Sequence, residues 1–325
     1  MTSGSILIIR LGAMGDILHA LPALRALRLS FPQSDIHWVV ASKWSPLLEG
    51  NPDLTGWIPL ELRDIGNIMS ASRRLRRLTP QLAFDFQGLI QSAIAGRLAR
   101  PSEFYGFSRS AAREGLASFF YTHRIDPVSR HVVDRNLDLI EAAGTPRTSS
   151  PPWIPPGRRE GQLPSEPFVL SNPFAGWTGK QWPIERYDAL ARLLEPHGFS
   201  LVLNVPIERA RDVSGLRHVQ LYYSSLHGLI DATRRAAAVV GLDSGPLHLA
   251  AALQKPGVAL FGPTDPDRNG PYGGSMSVLR AESVSTTYRR HKTIHPSMAE
   301  ISAELVLDTL LQSMKQRPVI VERSV

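Results

Sequence analysis

A carboxylate stands where an anion-binding loop would have none. The stretch "RLGAMGDILHALPALRAL", residues 10–27, begins as phosphate-cradling loops do, with glycines after an apolar run and a helical pattern beyond. Gly12 and Gly15 let the backbone turn tightly after a strand. Asp16 then falls at the start of a helix, where the macrodipole stabilises negative charge and tends to lower a carboxyl pKa. A carboxylate is poor for holding phosphate and suited to accepting a proton from a hydroxyl. The bland alternative is a helix cap. His19 follows within one turn, either to hold an acceptor group or as a polar residue on the helix surface.

Three further constellations have chemical content. In "NPFAGWTGKQWPIERY", residues 172–187, a strand opens into a glycine-containing loop with Lys180, and Pro183 suits the first turn of the next helix. Backbone amides at that helix start, with a lysine beside them, make an anion site; the alternative is a surface loop with a solvated lysine. In "LDSGPLHLAAALQKPGVALFG" a buried strand ends at Asp243, Ser244 and Gly245 turn the chain, and Pro246 starts a helix that carries His248. That turn resembles a diphosphate seat, with Asp243 available for sugar hydroxyls; a capped helix with a core histidine is the competing reading. The run "SRRLRRLTP" carries Arg73, Arg74, Arg76 and Arg77, an anion-contacting face or a solvated one, and "SRSAAREG" adds Arg113.

The elements that must position these residues alternate in type. Apolar runs such as "ILIIRL", "IHWVVA", "LAFDFQG", "SLVLNV", "AAAVVGL" and "GVALFG" read as strands, and "LIQSAIAGRLA" and "IERYDALARLLEPHG" as helices, the latter stopped by Gly198. This alternation predicts α/β architecture with parallel sheets. The segment 145–167, rich in Pro, Gly and Ser, reads as an interdomain linker between two Rossmann-like halves. Residues 299–314 read as one strongly periodic terminal helix. In such folds ligands bind beyond the carboxyl ends of the strands, and each motif above sits at such an end.

Composition narrows the classes. The chain of 325 residues is 43% hydrophobic and 20% charged, an ordinary globular balance. It contains no cysteine, so disulfides and thiolate metal sites are excluded. No stretch is long and apolar enough to span a bilayer, and Arg10 and Asp16 interrupt any signal-peptide pattern. The net charge is +7, and all but five of the 36 basic residues are arginines, which suit bidentate capture of carboxylates and phosphates. Nucleic acid is disfavoured, because zinc-finger spacing, an aromatic RNA-binding signature and a basic tail are all missing. A dinucleotide oxidoreductase is disfavoured because "RLGAMGD" lacks the full G-x-G-x-x-G spacing.

Together "RLGAMGDILHALPALRAL", "FDFQGLIQSA", "GKQWPIERY" and "LDSGPLHLAAALQKPGVALFGPTDPDRNGPYG" resemble the heptosyltransferase family of bacterial lipopolysaccharide assembly, glycosyltransferase family 9. The first segment is most similar to heptosyltransferase I, which adds the first heptose to the Kdo region of lipid A. The resemblance implies a GT-B fold, two Rossmann-like domains facing a central cleft. Residues 1–155 would bind the acceptor and 156–325 the nucleotide sugar, with the terminal helix packing back on the first domain. It implies an inverting transfer from ADP-heptose to anionic Kdo-lipid A, with no cofactor and no obligatory metal, by a protein resting peripherally on the cytoplasmic face of the inner membrane. Asp16 would be the catalytic base. Lys180 would contact the donor diphosphate, Glu208 the donor ribose, and Asp243, Ser244, Gly245 and His248 would form the donor motif, with serine where the family usually has threonine. Arg113 resembles an acceptor-side arginine, and Arg73, Arg74, Arg76 and Arg77 would meet the anionic acceptor. Ala175 and Gly176 depart from the family pattern, where hydroxylated residues touch the phosphates. Two alternatives remain: a related glycosyltransferase using another nucleotide sugar or a later core acceptor, and a catalytically silent nucleotide-sugar-binding homologue.

Overall fold

The computed structural model describes residues 4–315 apart from 62, 282, 283, 285, 288 and 291. The chain divides into two compact units, Met1–Pro155 and Pro156–Val325.

The first unit is built on a parallel sheet of six strands: β1 (Ser5–Ile9), β2 (Asp35–Val40), β3 (Gly56–Pro59), β4 (Leu82–Asp85), β5 (Glu103–Phe107) and β6 (His123–Ile125). Their order is β3-β2-β1-β4-β5-β6, so the direction of winding reverses between β1 and β4. Helices α1 (Met14–Leu18) and α2 (Leu21–Ser30) join β1 to β2, α3 (Ile65–Leu78) joins β3 to β4, and α4 (Ile90–Leu98) joins β4 to β5. A 3-10 segment, Gly115–Phe120, precedes β6, and α5 (Val132–Glu141) follows it. The continuous apolar run of β1 follows from burial on both faces, as parallel sheets demand. Leu7 and Ile9 pack with Ala71 and Leu75 of α3 and with Ala93 and Ala95 of α4.

The second unit repeats the plan with β7 (Phe168–Ser171), β8 (Ser200–Asn204), β9 (Val219–Tyr222), β10 (Ala238–Leu242), β11 (Gly257–Phe261) and β12 (Met276–Arg280), ordered β12-β11-β10-β7-β8-β9. Its helices are α6 (Ile184–Leu194), α7 (Leu226–Arg235), α8 (Gly245–Ala252), α9 (Pro266–Asn269), α10 (Pro296–Glu300) and α11 (Ala303–Lys315). The winding here reverses between β7 and β10. Helix α6 gives way to a 3-10 turn and then to Gly198, whose φ of 78° only glycine adopts readily.

The structure corrects two expected elements. The terminal helix is broken: α10 ends at Glu300, and Ser302 restarts the chain by accepting the Leu305 amide on its hydroxyl at 3.1 Å. The freed carbonyl of Ile301 accepts the Trp182 indole N–H at 2.9 Å. Helix α11 packs on α6, β11 and β12. Asp16 does not open the helix read over "ALPALRALRLSF", which is α2: it lies in the separate short helix α1, parted from α2 at His19 and Ala20. The segment 145–167 carries no helix or strand, and the boundary between the units falls inside it.

Candidate active site

In the first unit the carboxyl end of β1 runs straight into a charged cluster. Arg10, the residue after β1, is buried, and its Nη2 lies 2.7 Å from Asp16 Oδ2. Its Nη1 donates to the main-chain oxygen of Phe86. Arg113 Nη2 reaches the same Asp16 oxygen at 3.2 Å. Asp16 is not the cap of its helix. Ala13 holds that position, Asp16 is the third residue of α1, and its Oδ2 accepts the Ala13 amide at 3.1 Å. Gly12 is required by close approach, since a Cβ there would stand 2.8 Å from Trp44 Nε1. Burial pushes the Asp16 carboxyl up, but the Arg10 and Arg113 guanidiniums, helped by His19 and the Ala13 amide, outweigh it and hold the pKa at about 2. Burial lowers the pKa of Arg10, against the pull of Asp16.

The neighbouring strand braces this cluster. Asp85, the last residue of β4, accepts the Gln87 and Gly88 amides at 2.8 and 3.2 Å and the hydroxyls of Ser92 and Tyr121, both at 2.7 Å. Burial raises its pKa while these four donors pull it down. The tight turn so formed, with Gly88 at φ 67°, aims Gln87 Oε1 at the Leu11 amide, 2.7 Å away. The segment "FDFQG" therefore positions the loop that carries Asp16. His19 is buried, which removes the surface reading; its carbonyl accepts Asn136 Nδ2 at 3.1 Å, and its ring meets that of His131 edge-on. Arg10 is the site residue that sequence reasoning passes over. It reads as an interruption of an apolar run, yet a charge at the end of a buried strand, six positions ahead of an aspartate, was the available signal.

The four arginines of α3 are not brought to Asp16. The crossover from β3 to β4 returns the chain from the carboxyl edge of the sheet to its amino edge, so residues late in α3 lie toward the far edge. Arg77 accordingly lines a shallow cavity with Ser5, Asp35 and Gln81, at the amino ends of the strands. Arg74 donates to the Trp57 carbonyl at 3.2 Å, and Arg73, Arg76 and Arg77 are exposed. Of the expected acceptor residues only Arg113 stands beside Asp16.

In the second unit the expected donor residues gather at the carboxyl ends of three adjacent strands. Lys180 follows β7, and its Nζ donates to Asp243 Oδ2 at 2.5 Å and, at 3.4 Å, to the Asp243 main-chain oxygen, just beyond β10. The two residues straddle the reversal of winding, the place where open α/β sheets bind ligands. His248 Nε2 lies 3.9 Å from Asp243 Oδ1 on the other side. Asp243 is thus engaged by Lys180 through Oδ2. Ser244 stands at the cap position of α8 but donates its hydroxyl to the Leu242 carbonyl at 3.2 Å, leaving the amide end of the helix at Gly245 uncapped by its side chain. Glu208 is exposed in a 3-10 segment after β8, tied to the loop after β7 by Arg209, whose guanidinium lies 3.9 Å from the centre of the Phe174 ring.

Comparison with known proteins agrees with this architecture. The family model of glycosyltransferase family 9 (heptosyltransferase) matches residues 68–297. Lipopolysaccharide heptosyltransferase 1 of Pseudomonas aeruginosa is 31% identical over 298 residues, covering 85% of this chain and 84% of its own. The Escherichia coli K12 protein of the same name is 31% identical over 300 residues, covering 85% and 93%. Among solved structures, E. coli heptosyltransferase WaaC with ADP superposes with a TM-score of 0.77 at 25% identity, over 95% of this chain and 99% of the other. E. coli ADP-heptose lipopolysaccharide heptosyltransferase II gives 0.80 at 24% identity, over 96% and 99%, a likeness of fold. The two six-stranded parallel sheets are those of the GT-B fold. The chain belongs to glycosyltransferase family 9, the heptosyltransferases, and is a glycosyltransferase.

Proposed function

We propose that this enzyme transfers heptose from ADP-heptose to the Kdo inner-core region of lipid A, inverting the anomeric carbon, in lipopolysaccharide biosynthesis at the cytoplasmic face of the inner membrane. The observation that carries this reading is the Asp16 cluster: an ionised carboxylate at the carboxyl end of β1, fixed from behind by buried Arg10 and from the solvent side by half-exposed Arg113. An acceptor bearing its own carboxylates competes with Asp16 for Arg113. As that guanidinium turns to the acceptor, Asp16 loses one of its two cations and becomes more basic where a hydroxyl is to be deprotonated. Arg10, held by the Phe86 carbonyl, keeps the carboxylate oriented. Attack on the anomeric carbon from the side opposite the leaving ADP inverts its configuration.

Charge that develops on the departing diphosphate is assigned to Lys180 and to the amide end of α8. A lysine ammonium has three donors. Asp243 takes two of those of Lys180, which leaves one for a phosphate oxygen. Among the described residues no three His, Asp or Glu side chains come together as a metal site. The names of the relatives, lipopolysaccharide heptosyltransferase 1 in several bacteria, support the acceptor, and the structures with ADP and with a fluorinated ADP-heptose support the donor.

The test is direct. Purified enzyme incubated with ADP-heptose and Kdo-lipid A, read by mass spectrometry, should give a product heavier by one heptose. No product from that pair, with turnover of a different sugar nucleotide from a panel of ADP- and UDP-sugars, overturns the donor assignment.

A further inference from the structure

The outer layer of the first unit has a composition that neither the fold nor the site requires. Helices α3 and α4 and the segment Gly115–Phe120 lie side by side on one face of the sheet, and their buried sides supply Ala71, Leu75, Ala93 and Ala117 to the core. Their outward sides carry large apolar residues: Ile65 and Met69 on α3, Ile94 on α4, and Leu116 and Phe119 on the 3-10 segment. Ile65 is 77% exposed and Phe119 62%. Scattered single apolar residues would need no explanation, but adjacent ones on three neighbouring elements do. Arginines interleave with them. Arg73 and Arg76 continue the Ile65–Met69 stripe at helical spacing, Arg97 follows Ile94 by three residues, and Arg124 lies with its guanidinium 5.9 Å from the Phe119 ring centre.

The three elements contain no acidic residue anywhere in their sequences. Two exposed carboxylates border the layer: Asp64, which accepts the Asn67 amide at 3.1 Å, and Glu114, which accepts the Ile90 amide at 2.7 Å. On both helices the apolar residues come first, in the turns that adjoin the carboxyl edge of the sheet, and the arginines follow.

We propose that this layer docks on an anionic lipid bilayer, with Ile65, Met69, Ile94, Leu116 and Phe119 entering the acyl boundary and Arg73, Arg76, Arg97 and Arg124 reaching the lipid phosphates. Charge complementarity selects the occupant. Apolar tips flanked by long cationic side chains, with no acid within the three elements, match a surface that is apolar within and anionic at its rim, and arginine stems cover apolar surface while their heads stay at the phosphates. The arrangement also gives the α3 arginines a task that their distance from Asp16 otherwise denies them. This proposal is independent of which sugar is transferred, because it concerns where the first unit rests and not what it reacts with.

The experiment is sedimentation of the full chain with vesicles of phosphatidylcholine alone and of phosphatidylcholine with a third phosphatidylglycerol. Wild type should bind the anionic vesicles and barely bind the neutral ones. The variant Met69→Ser/Leu116→Ser/Phe119→Ser should bind anionic vesicles about tenfold more weakly or worse. In Arg73→Gln/Arg76→Gln/Arg97→Gln the preference for the anionic vesicles should vanish. Leu305→Ser, an exposed apolar position on α11, serves as the control and should bind as wild type does. All variants should melt as wild type does, and the serine variant should keep wild-type turnover of a deacylated, water-soluble acceptor. Equal vesicle binding by wild type and both triple variants, or no binding by wild type, overturns the proposal. So does a wild-type dimer that the serine variant abolishes while no chain binds vesicles, since the layer is then an interface between copies.

Discussion

Asp16 is both an anion held by two guanidiniums and the proposed base, and substitutions separate the two roles. Asp16→Asn should lower kcat by about 10²–10⁴-fold, the usual worth of a general base, with saturating substrates. A kcat within threefold of wild type removes it from the chemistry. The ion cluster adds a second effect: the asparagine leaves Arg10 buried without its counter-charge, so the melting temperature should drop as well, and rates must be read well below it. Because the Asp16 pKa falls from 3.8 to about 2 on folding, the stability it contributes is complete above about pH 4 and is lost as pH falls toward 2. Arg113→Ala removes one of the two cations that depress it, so the acid limb of kcat/KM should move to higher pH in that variant; an unmoved limb would show that Arg113 does not tune the base. On the donor side, Lys180→Ala should weaken ADP binding by about 1.5–3 kcal/mol, the scale of a charged hydrogen bond, measured by calorimetry.

Elements were legible where one face, or both, had to be apolar. β1, β8, β10 and β11 each carry an apolar run of three or more residues because neighbours cover them on both sides. The edge strands were not legible. β3 reads "GWIP" and β6 "HRI", three or four residues whose extended form comes from pairing with a neighbour and not from their own pattern. The break at Ile301 was hidden for a different reason: apolar periodicity runs through it, and only the Trp182 indole, 119 residues away, reveals why a carbonyl is freed there. The site shows the same division. Its residues on turns after strands could be named from glycine and proline punctuation, whereas the brace that Phe86 and Gln87 give to Arg10 and Leu11 depends on contacts between β1 and β4 that no local pattern encodes. Packing between elements can be tested at Gly96 in α4. A Cβ there would fall 2.3 Å from Phe104 Cζ, so Gly96→Ala should destabilise by about 1–3 kcal/mol in denaturant unfolding, despite the better helix propensity of alanine.

At the scale of the molecule, each unit has its own sheet and its own core, and the proposed base and the proposed diphosphate contacts belong to different units. ADP at 100 times its dissociation constant should stabilise the second unit by about 2.7 kcal/mol. In calorimetry the transition that Lys180→Ala desensitises should move and the other should stay. The cluster around Asp16 also has a consequence for how the protein is made. Its partners are supplied far along the chain: Phe86 lies 76 residues after Arg10, and Arg113 lies 97 residues after Asp16. A nascent chain leaving the ribosome exposes Arg10 and Asp16 early, but the brace exists only after β4 has paired with β1, and the second guanidinium arrives one strand later still. Polypeptides released before residue 113 carry the proposed base without its complete electrostatic setting. The site is therefore inherited from the closed sheet rather than from the loop that displays it, and a transplanted "RLGAMGD" peptide brings none of its chemistry along.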